Sequence, residues 1–354
     1  MKVCFVMNSF SLYPTGGAKM VFEYANRLSE RGHKVQILYL NNNAWIKYHL
    51  PEKIRRILVS CVSMFSPTWF SLNTDIKKLS YYDSKLDIKT KDTDVFIVTA
   101  VTTVEITRNR FKGRRFVYFI QDFENWAVSK EYVYKTYNLG MTNIVISKWL
   151  KDIVDSNSKK SSVLIKNPID FEVYKINKKI ENRKSHTIGL LYHTRLDKGI
   201  KYSLATIDKL KVQYPDLEVY MFGASKRPKD LPNWINYTCN ASQSETVAIY
   251  NKVSVWLCAT VDEGFGLTGL EAMACGCVLV STAYKGVFEY AKEGYNALLV
   301  PVKDVNALVE AVVKVFEDYS IRKKLVFNAQ ETVRNFSWKK AVDKFEETLN
   351  EILN

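Results

Sequence analysis

Glu263-Gly264-Phe265-Gly266-Leu267-Thr268-Gly269-Leu270-Glu271 follows a mostly apolar run at 253–258 and opens a helix expected over 267–274. An apolar run of strand length, a glycine-rich loop and a helix, in that order, form one strand–loop–helix unit of a parallel sheet. The same alternation extends outward from this unit. Strands are expected at 187–192, 217–222, 278–281 and 297–300, with helices at about 199–213, 243–250, 268–275 and 303–318. The first half repeats the pattern, with strands at 3–7, 35–40, 95–99, 116–120, 143–146 and 163–165. Helices at 17–30 and 148–156 fall between them. Near-continuous apolar strands alternating with helices point to sheets covered on both faces.

The rhythm breaks at Asn167-Pro168-Ile169-Asp170, and residues 174–185 are polar and basic, so this stretch reads as a linker. Two doubly wound α/β domains, 1–172 and 183–335, suit 354 residues better than one oversized sheet. A closing segment, 336–354, has apolar residues at 338, 342, 345, 349 and 352, the stripe of a packing helix.

Composition narrows the class. With 47% hydrophobic and 25% charged residues the chain is an ordinary globular protein. The net charge of +14, from 51 basic and 37 acidic residues, favours anionic partners. The basic residues lie in short groups such as Lys53-Ile54-Arg55-Arg56 and 108–115, without a basic tail or zinc-finger spacing, so nucleic acid is not an expected partner. An anionic membrane surface would use the same charge. Six cysteines, at 4, 61, 239, 258, 275 and 277, lie mostly in apolar runs and read as reduced core residues. The opening Met-Lys-Val-Cys-Phe-Val-Met is too short an apolar run for a signal peptide, and no stretch approaches a membrane span of about 20 residues. The expected location is cytoplasmic, free or peripheral on the inner face of the plasma membrane.

Two loops carry the chemistry. Pro14-Thr15-Gly16-Gly17-Ala18 follows the first strand and opens a helix, where bare amides favour an anion. It is not the dinucleotide fingerprint Gly-x-Gly-x-x-Gly, and a tight turn without a ligand would look alike. The second loop is 263–271. Its glycines leave amides open at the mouth of a sheet, suited to sugar hydroxyls and a diphosphate. Glu271 is placed to accept hydrogen bonds from a vicinal diol such as a ribose, and Glu263 to hold sugar hydroxyls.

Glu-x7-Glu enclosing Gly-Phe-Gly, then Ala272-Met273-Ala274-Cys275-Gly276-Cys277-Val278-Leu279-Val280-Ser281, resembles the retaining glycosyltransferases of family 4. Gly16-Gly17, residues 145–150, 166–170 and 293–300 extend the resemblance over most of the chain. It implies the GT-B fold, two Rossmann-like domains facing across a cleft with the C-terminal helix packing back on the first. The first domain would bind a glycan or lipid-linked acceptor in cell-surface polysaccharide synthesis, and the second a nucleotide-sugar donor. Glu271 would bind the ribose and Glu263 the donor sugar. The amides of Gly264, Phe265, Gly266 and Leu267 would face the sugar, and Gly16 and Gly17 would approach the donor. Arg195 and Lys198, in Tyr192-His193-Thr194-Arg195-Leu196-Asp197-Lys198-Gly199, match the pair that holds the diphosphate. They would stabilise charge on the departing group, the main catalytic term.

Two departures matter. The family has a glycine before this arginine and a longer arginine–lysine spacing. Where many relatives carry a histidine after a first-domain strand, this chain has Gln121-Asp122-Phe123-Glu124. That version resembles a subgroup with rhamnosyltransferases using dTDP-L-rhamnose, beside UDP- or GDP-hexoses as donors. Asp122 would contact donor or acceptor, or simply cap a helix. Asp92-Thr93-Asp94 has the spacing of metal-dependent transferases but precedes its strand, the wrong end for a ligand, and reads as a turn. The histidines at 33, 49, 186 and 193 lack metal spacing. No metal and no cofactor are expected, the nucleotide sugar being a co-substrate. A GT-B epimerase or phosphorylase would share these loops; a non-catalytic partner subunit would usually have lost the glutamate pair.

Overall fold

A computed structural model describes residues 1–354. The chain divides into two compact units, Met1–Lys166 with Lys339–Asn354, and Asn167–Trp338.

In the first unit the elements run β1 (Lys2–Met7), α1 (Gly16–Glu30), β2 (Lys34–Tyr39), α2 (Glu52–Phe65), β3 (Lys77–Ser80), α3 (Leu86–Thr90), β4 (Val95–Val98) and α4 (Val101–Arg110). β5 (Arg115–Ile120), α5 (Lys130–Thr136), β6 (Thr142–Val145), α6 (Lys148–Asn157) and β7 (Val163–Leu164) complete the series. All seven strands are parallel, in the order β3-β2-β1-β4-β5-β6-β7. Winding reverses between β1 and β4, whose helices therefore leave towards opposite faces. Val3, Phe5 and Val6 of β1 and all of β4 are wholly buried, which is why those runs read as unbroken apolar sequence.

The second unit repeats the plan with β8 (Thr187–Tyr192), α7 (Ile200–Gln213), β9 (Glu218–Gly223), β10 (Ile235–Cys239), α8 (Gln243–Lys252) and β11 (Val255–Cys258). α9 (Leu267–Ala274), β12 (Val278–Thr282), β13 (Ala297–Val300), α10 (Val305–Glu317) and α11 (Tyr319–Val333) follow. Its six parallel strands are ordered β10-β9-β8-β11-β12-β13, and the reversal lies between β8 and β11. The α/β, doubly wound architecture expected of both halves is the one observed.

The final helix, α12 (Trp338–Leu353), belongs to the first unit from Lys339 onward. Its stripe buries Ala341, Val342, Phe345 and Leu349. The Phe345 ring stacks on Tyr24 at 4.5 Å and meets Phe119 at 5.7 Å and Phe5 at 6.3 Å. At its polar edge Glu346 accepts from Arg31 at 2.7 Å and contacts His33 at 2.6 Å.

Three expectations need correction. Residues 174–185 are not a free linker. Asn177 and Lys178 amides donate to Asn251, and the buried Arg183 guanidinium donates to the carbonyls of Lys178, Tyr250, Val253 and Cys275. A basic residue in a polar stretch thus serves as a buried hub, satisfying carbonyls that packing would otherwise strand. The strands β3 and β10 also escaped the reading: both are sheet edges with few apolar residues to mark them. Finally, Cys61 and Cys239 are exposed, whereas Cys4, Cys275 and Cys277 are buried. Asp92-Thr93-Asp94 does form a turn, with the Thr93 amide bonded to the Thr90 carbonyl at 3.0 Å. There Asp94 accepts from the Lys2 amide at 2.6 Å.

Phe345→Ala removes the ring that joins α12 to the first sheet and should cost about 3–5 kcal/mol. Urea titration should show earlier unfolding, and an unchanged midpoint would mean that α12 does not stabilise this unit.

Candidate functional site

Parallel sheets bind ligands where two neighbouring strands send their helices to opposite faces, because the loops at their carboxyl ends part there. In the second unit that place lies beyond β8 and β11. The loop after β8 runs from His193 to Gly199, and the loop after β11 from Ala259 to Gly266.

The two loops are fastened together. Asp197 accepts, through its carbonyl, hydrogen bonds from the amides of Val261 at 2.7 Å and Asp262 at 3.3 Å. Gly199 has φ +66, and a Cβ there would lie 1.9 Å from the Ala259 carbonyl oxygen. Only glycine allows so close an approach in that conformation. This contact brings Lys198 against Glu263, with Nζ 3.0 Å from Oε1 and both side chains half-buried. Residues 65 positions apart in the chain form one charged pair.

Arg195 lies on the same loop. Its Nε and Nη2 donate to the two carboxylate oxygens of Asp197, at 3.0 and 2.7 Å. Its amide donates to Nδ1 of His193 at 3.0 Å, which makes that nitrogen an acceptor and the ring neutral. Burial lowers the His193 pKa below the ordinary range, and the nearby Lys198 and Arg195 lower it further. The short spacing of this loop is therefore occupied by an Arg195–Asp197 clasp.

Beyond Glu263 the chain passes to α9 through Gly264, Phe265 and Gly266. Gly264, Phe265 and Gly266 are buried, and the Phe265 ring packs on Tyr290 and Phe336. Gly266 has φ +89, and a Cβ there would fall 1.9 Å from the Tyr284 hydroxyl. Tyr290 donates its hydroxyl to the Gly266 carbonyl at 2.7 Å and lies 3.0 Å from the Tyr284 hydroxyl. A tyrosine pair from the segment after β12 thus presses the loop into shape. Leu267 begins α9, whose first amides have no acceptor within the helix. Glu271, in the next turn, is buried, and its Oε2 accepts from Tyr250 of α8 at 3.0 Å. Burial and the Glu271 charge together push the Tyr250 pKa well above its ordinary value, so the hydroxyl stays a donor.

In the first unit the reversal lies beyond β1 and β4. Gly16 and Gly17 are exposed at the start of α1, and a Cβ on Gly17 would be in ordinary contact with the Gln121 side chain at 3.6 Å. Asp122 accepts from the Phe123 amide at 2.9 Å, while Glu124 caps α4 by accepting from Val101 at 2.5 Å. Glu124 thus caps the start of α4 from this turn. The expected residues fall into two sets: Gly16, Gly17 and Asp122 in the first unit, and Arg195, Lys198, Glu263 to Leu267 and Glu271 in the second. Tyr250, Tyr284 and Tyr290 were not anticipated. Gly266 and Gly269, three apart on one side of α9, were the available sign that something large packs there.

Gly269→Ala would place its methyl 2.4 Å from the Tyr290 hydroxyl. It should lower the thermal midpoint, at a cost of about 1–3 kcal/mol. Combining it with Tyr290→Phe should cost less than the sum of the two single changes, because the second removes the clashing atom. Strict additivity would refute the contact.

Residues 174–332 match the family of glycosyl transferases group 1. An uncharacterized glycosyltransferase of Methanocaldococcus jannaschii is 26% identical over 208 residues, 56% of each chain. The capsular polysaccharide biosynthesis glycosyltransferase CapM of Staphylococcus aureus is 24% identical over 54% of this chain and 56% of its own. The chain thus spans just over half the length of these two relatives. Among solved structures, Anabaena HepE in complex with UDP-glucose superposes with a TM-score of 0.76 at 16% identity, over 99% of this chain and 100% of that one. The fold is GT-B.

Proposed function

We propose that this protein is a glycosyltransferase, moving a sugar from a nucleoside-diphosphate donor held by the second unit to a hydroxyl acceptor. The observation that carries the reading is the Lys198–Glu263 pair at the β8/β11 reversal, beside a shaped glycine loop and a buried glutamate. The family match falls on this same unit, and it supports the assignment.

Each group has a task. An ammonium has three N–H donors, so Lys198 keeps donors for the diphosphate while one serves Glu263. Glu263 in turn holds Lys198 in place and presents its second oxygen to a sugar hydroxyl. The open amides at the start of α9 and the positive helix end favour the sugar and its phosphate. Glu271, oriented by Tyr250, accepts from the ribose diol. Arg195, clasped by Asp197, adds positive charge next to the same loop. His193, held neutral, adds no further charge of its own.

In the transfer step the bond between the anomeric carbon and the diphosphate oxygen breaks, and its electron pair leaves with the diphosphate. The acceptor oxygen forms the new bond, and its proton passes to a leaving-group phosphate oxygen. This course gives retention at the anomeric carbon. Lys198 and Arg195 supply the stabilising charge that a metal provides in other transferases, so the reaction proceeds without one. On this reading the acceptor is a glycan or lipid-linked glycan held by the first unit, near Asp122. The Gln121-Asp122-Phe123-Glu124 turn makes dTDP-L-rhamnose the first donor to test against UDP- and GDP-hexoses.

A thermal-shift screen over these nucleotide sugars should reveal one that raises the midpoint, since a ligand of the native state stabilises it. With that donor, Lys198→Ala and Glu263→Ala should each lower kcat by about 10²–10³. Glu271→Ala should mainly weaken donor binding, by roughly ten- to a hundredfold. Full activity of the Lys198 variant would overturn its role, and turnover without any acceptor alcohol would indicate an epimerase or phosphorylase. EDTA should leave the rate unchanged; strong inhibition reversed by added Mg²⁺ or Mn²⁺ would restore a metal to the mechanism.

A further inference from the structure

Helix α2 turns its apolar side outward. Ile54, Ile57, Leu58, Met64 and Phe65 are 50%, 64%, 40%, 49% and 77% exposed. Exposed Cys61 lies among them. Their spacing of three and four places them on one face, while the inward side buries only Val59 and Ser63. This is the reverse of a helix packed on a sheet, whose apolar stripe faces the core. The exposed apolar surface continues into the preceding turn, where Ile46 and Tyr48 are 51% and 59% exposed.

Charge identifies what would cover this face. Between Asn41 and Thr74 there are four basic residues, Lys47, Lys53, Arg55 and Arg56, against one acid, Glu52. Glu52 is itself paired with Arg56 at 2.5 Å, and Arg55 is turned inward onto the carbonyls of Asn42 and Ala44. Lys47 and Lys53 therefore flank the stripe at an exposed surface with no net acidic charge to oppose them. An apolar face beside basic residues, with an aromatic at its end, matches a helix that lies in the boundary between headgroups and acyl chains. No helix in the structure is long and apolar enough to cross a membrane.

We propose that the outward face of α2, with the turn at Ile46–Tyr48, docks this protein on a bilayer surface carrying anionic lipids. Docking stands apart from the sugar-transfer reading and would hold if that reading failed. The apolar stripe enters the boundary region, and Lys47 and Lys53 meet lipid phosphates, each contributing through a surface potential that salt weakens.

Sedimentation of the full chain with vesicles tests this. The protein should pellet with phosphatidylcholine–phosphatidylglycerol vesicles, pellet far less with phosphatidylcholine alone, and be released by salt. The double change Ile57→Ser, Phe65→Ser should weaken binding at least about tenfold, since two large apolar groups no longer leave water. Lys47→Glu with Lys53→Glu should remove the preference for anionic vesicles. Because all four positions are exposed, thermal midpoints should stay within a degree or so of the parent, as surface substitutions usually do. Protein remaining in the supernatant with both vesicles, or undiminished binding by the Ile57/Phe65 variant, would overturn the proposal. So would a concentration-dependent dimer abolished by that variant, which would make a second copy the occupant.

Discussion

Lys198 meets Glu263 because β8 and β11 are hydrogen-bonded neighbours whose following helices depart in opposite directions. Neither loop could hold its charge in a half-buried place alone, since an uncompensated ion loses far more solvation than local packing returns. The strand order therefore comes first. Pairing of the loops follows through the Asp197 carbonyl and the bare backbone of Gly199, and only then does a lysine find a carboxylate. The same reversal in the first sheet sets Gly17 beside Gln121. Both units thus concentrate their unusual residues at one end of a parallel sheet.

The loop between Glu263 and Leu267 shows how a fold fixes a glycine-rich backbone. Glycine supplies a conformation that other residues resist, but freedom alone would leave the loop mobile. Tyr284 and Tyr290 remove that freedom again, one by contact and the other by a hydrogen bond to the Gly266 carbonyl. The result is a glycine-rich segment that is buried and held in one conformation.

Much of this was legible in sequence. Buried parallel strands announce themselves as apolar runs, so β1, β4, β8 and β12 could be placed to within a residue or two. Glu263, Glu271 and Lys198 could be named because short motifs carry them. What escaped was long-range or weakly patterned. Edge strands β3 and β10 have too few apolar residues to signal a face. The arginine hub at 183 looks like any basic residue until its carbonyl partners, up to 92 positions away, are brought in. The tyrosine pair answers glycines 18 to 24 residues earlier, and nothing local joins them. Arg195 was placed on the correct loop, but its bidentate clasp to Asp197 required side-chain geometry.

The tyrosine clamp also bears on inheritance. Gly266 and Gly269 are fitted to Tyr284 and Tyr290, so a change in one segment is a change in the packing of the other although a strand separates them. A glycine loop acquired without its tyrosines would face a gap, and tyrosines acquired alone would strike a loop of another shape. Any exchange of this loop between related chains would therefore have to carry 263–290 as one piece, with β12 between its two halves.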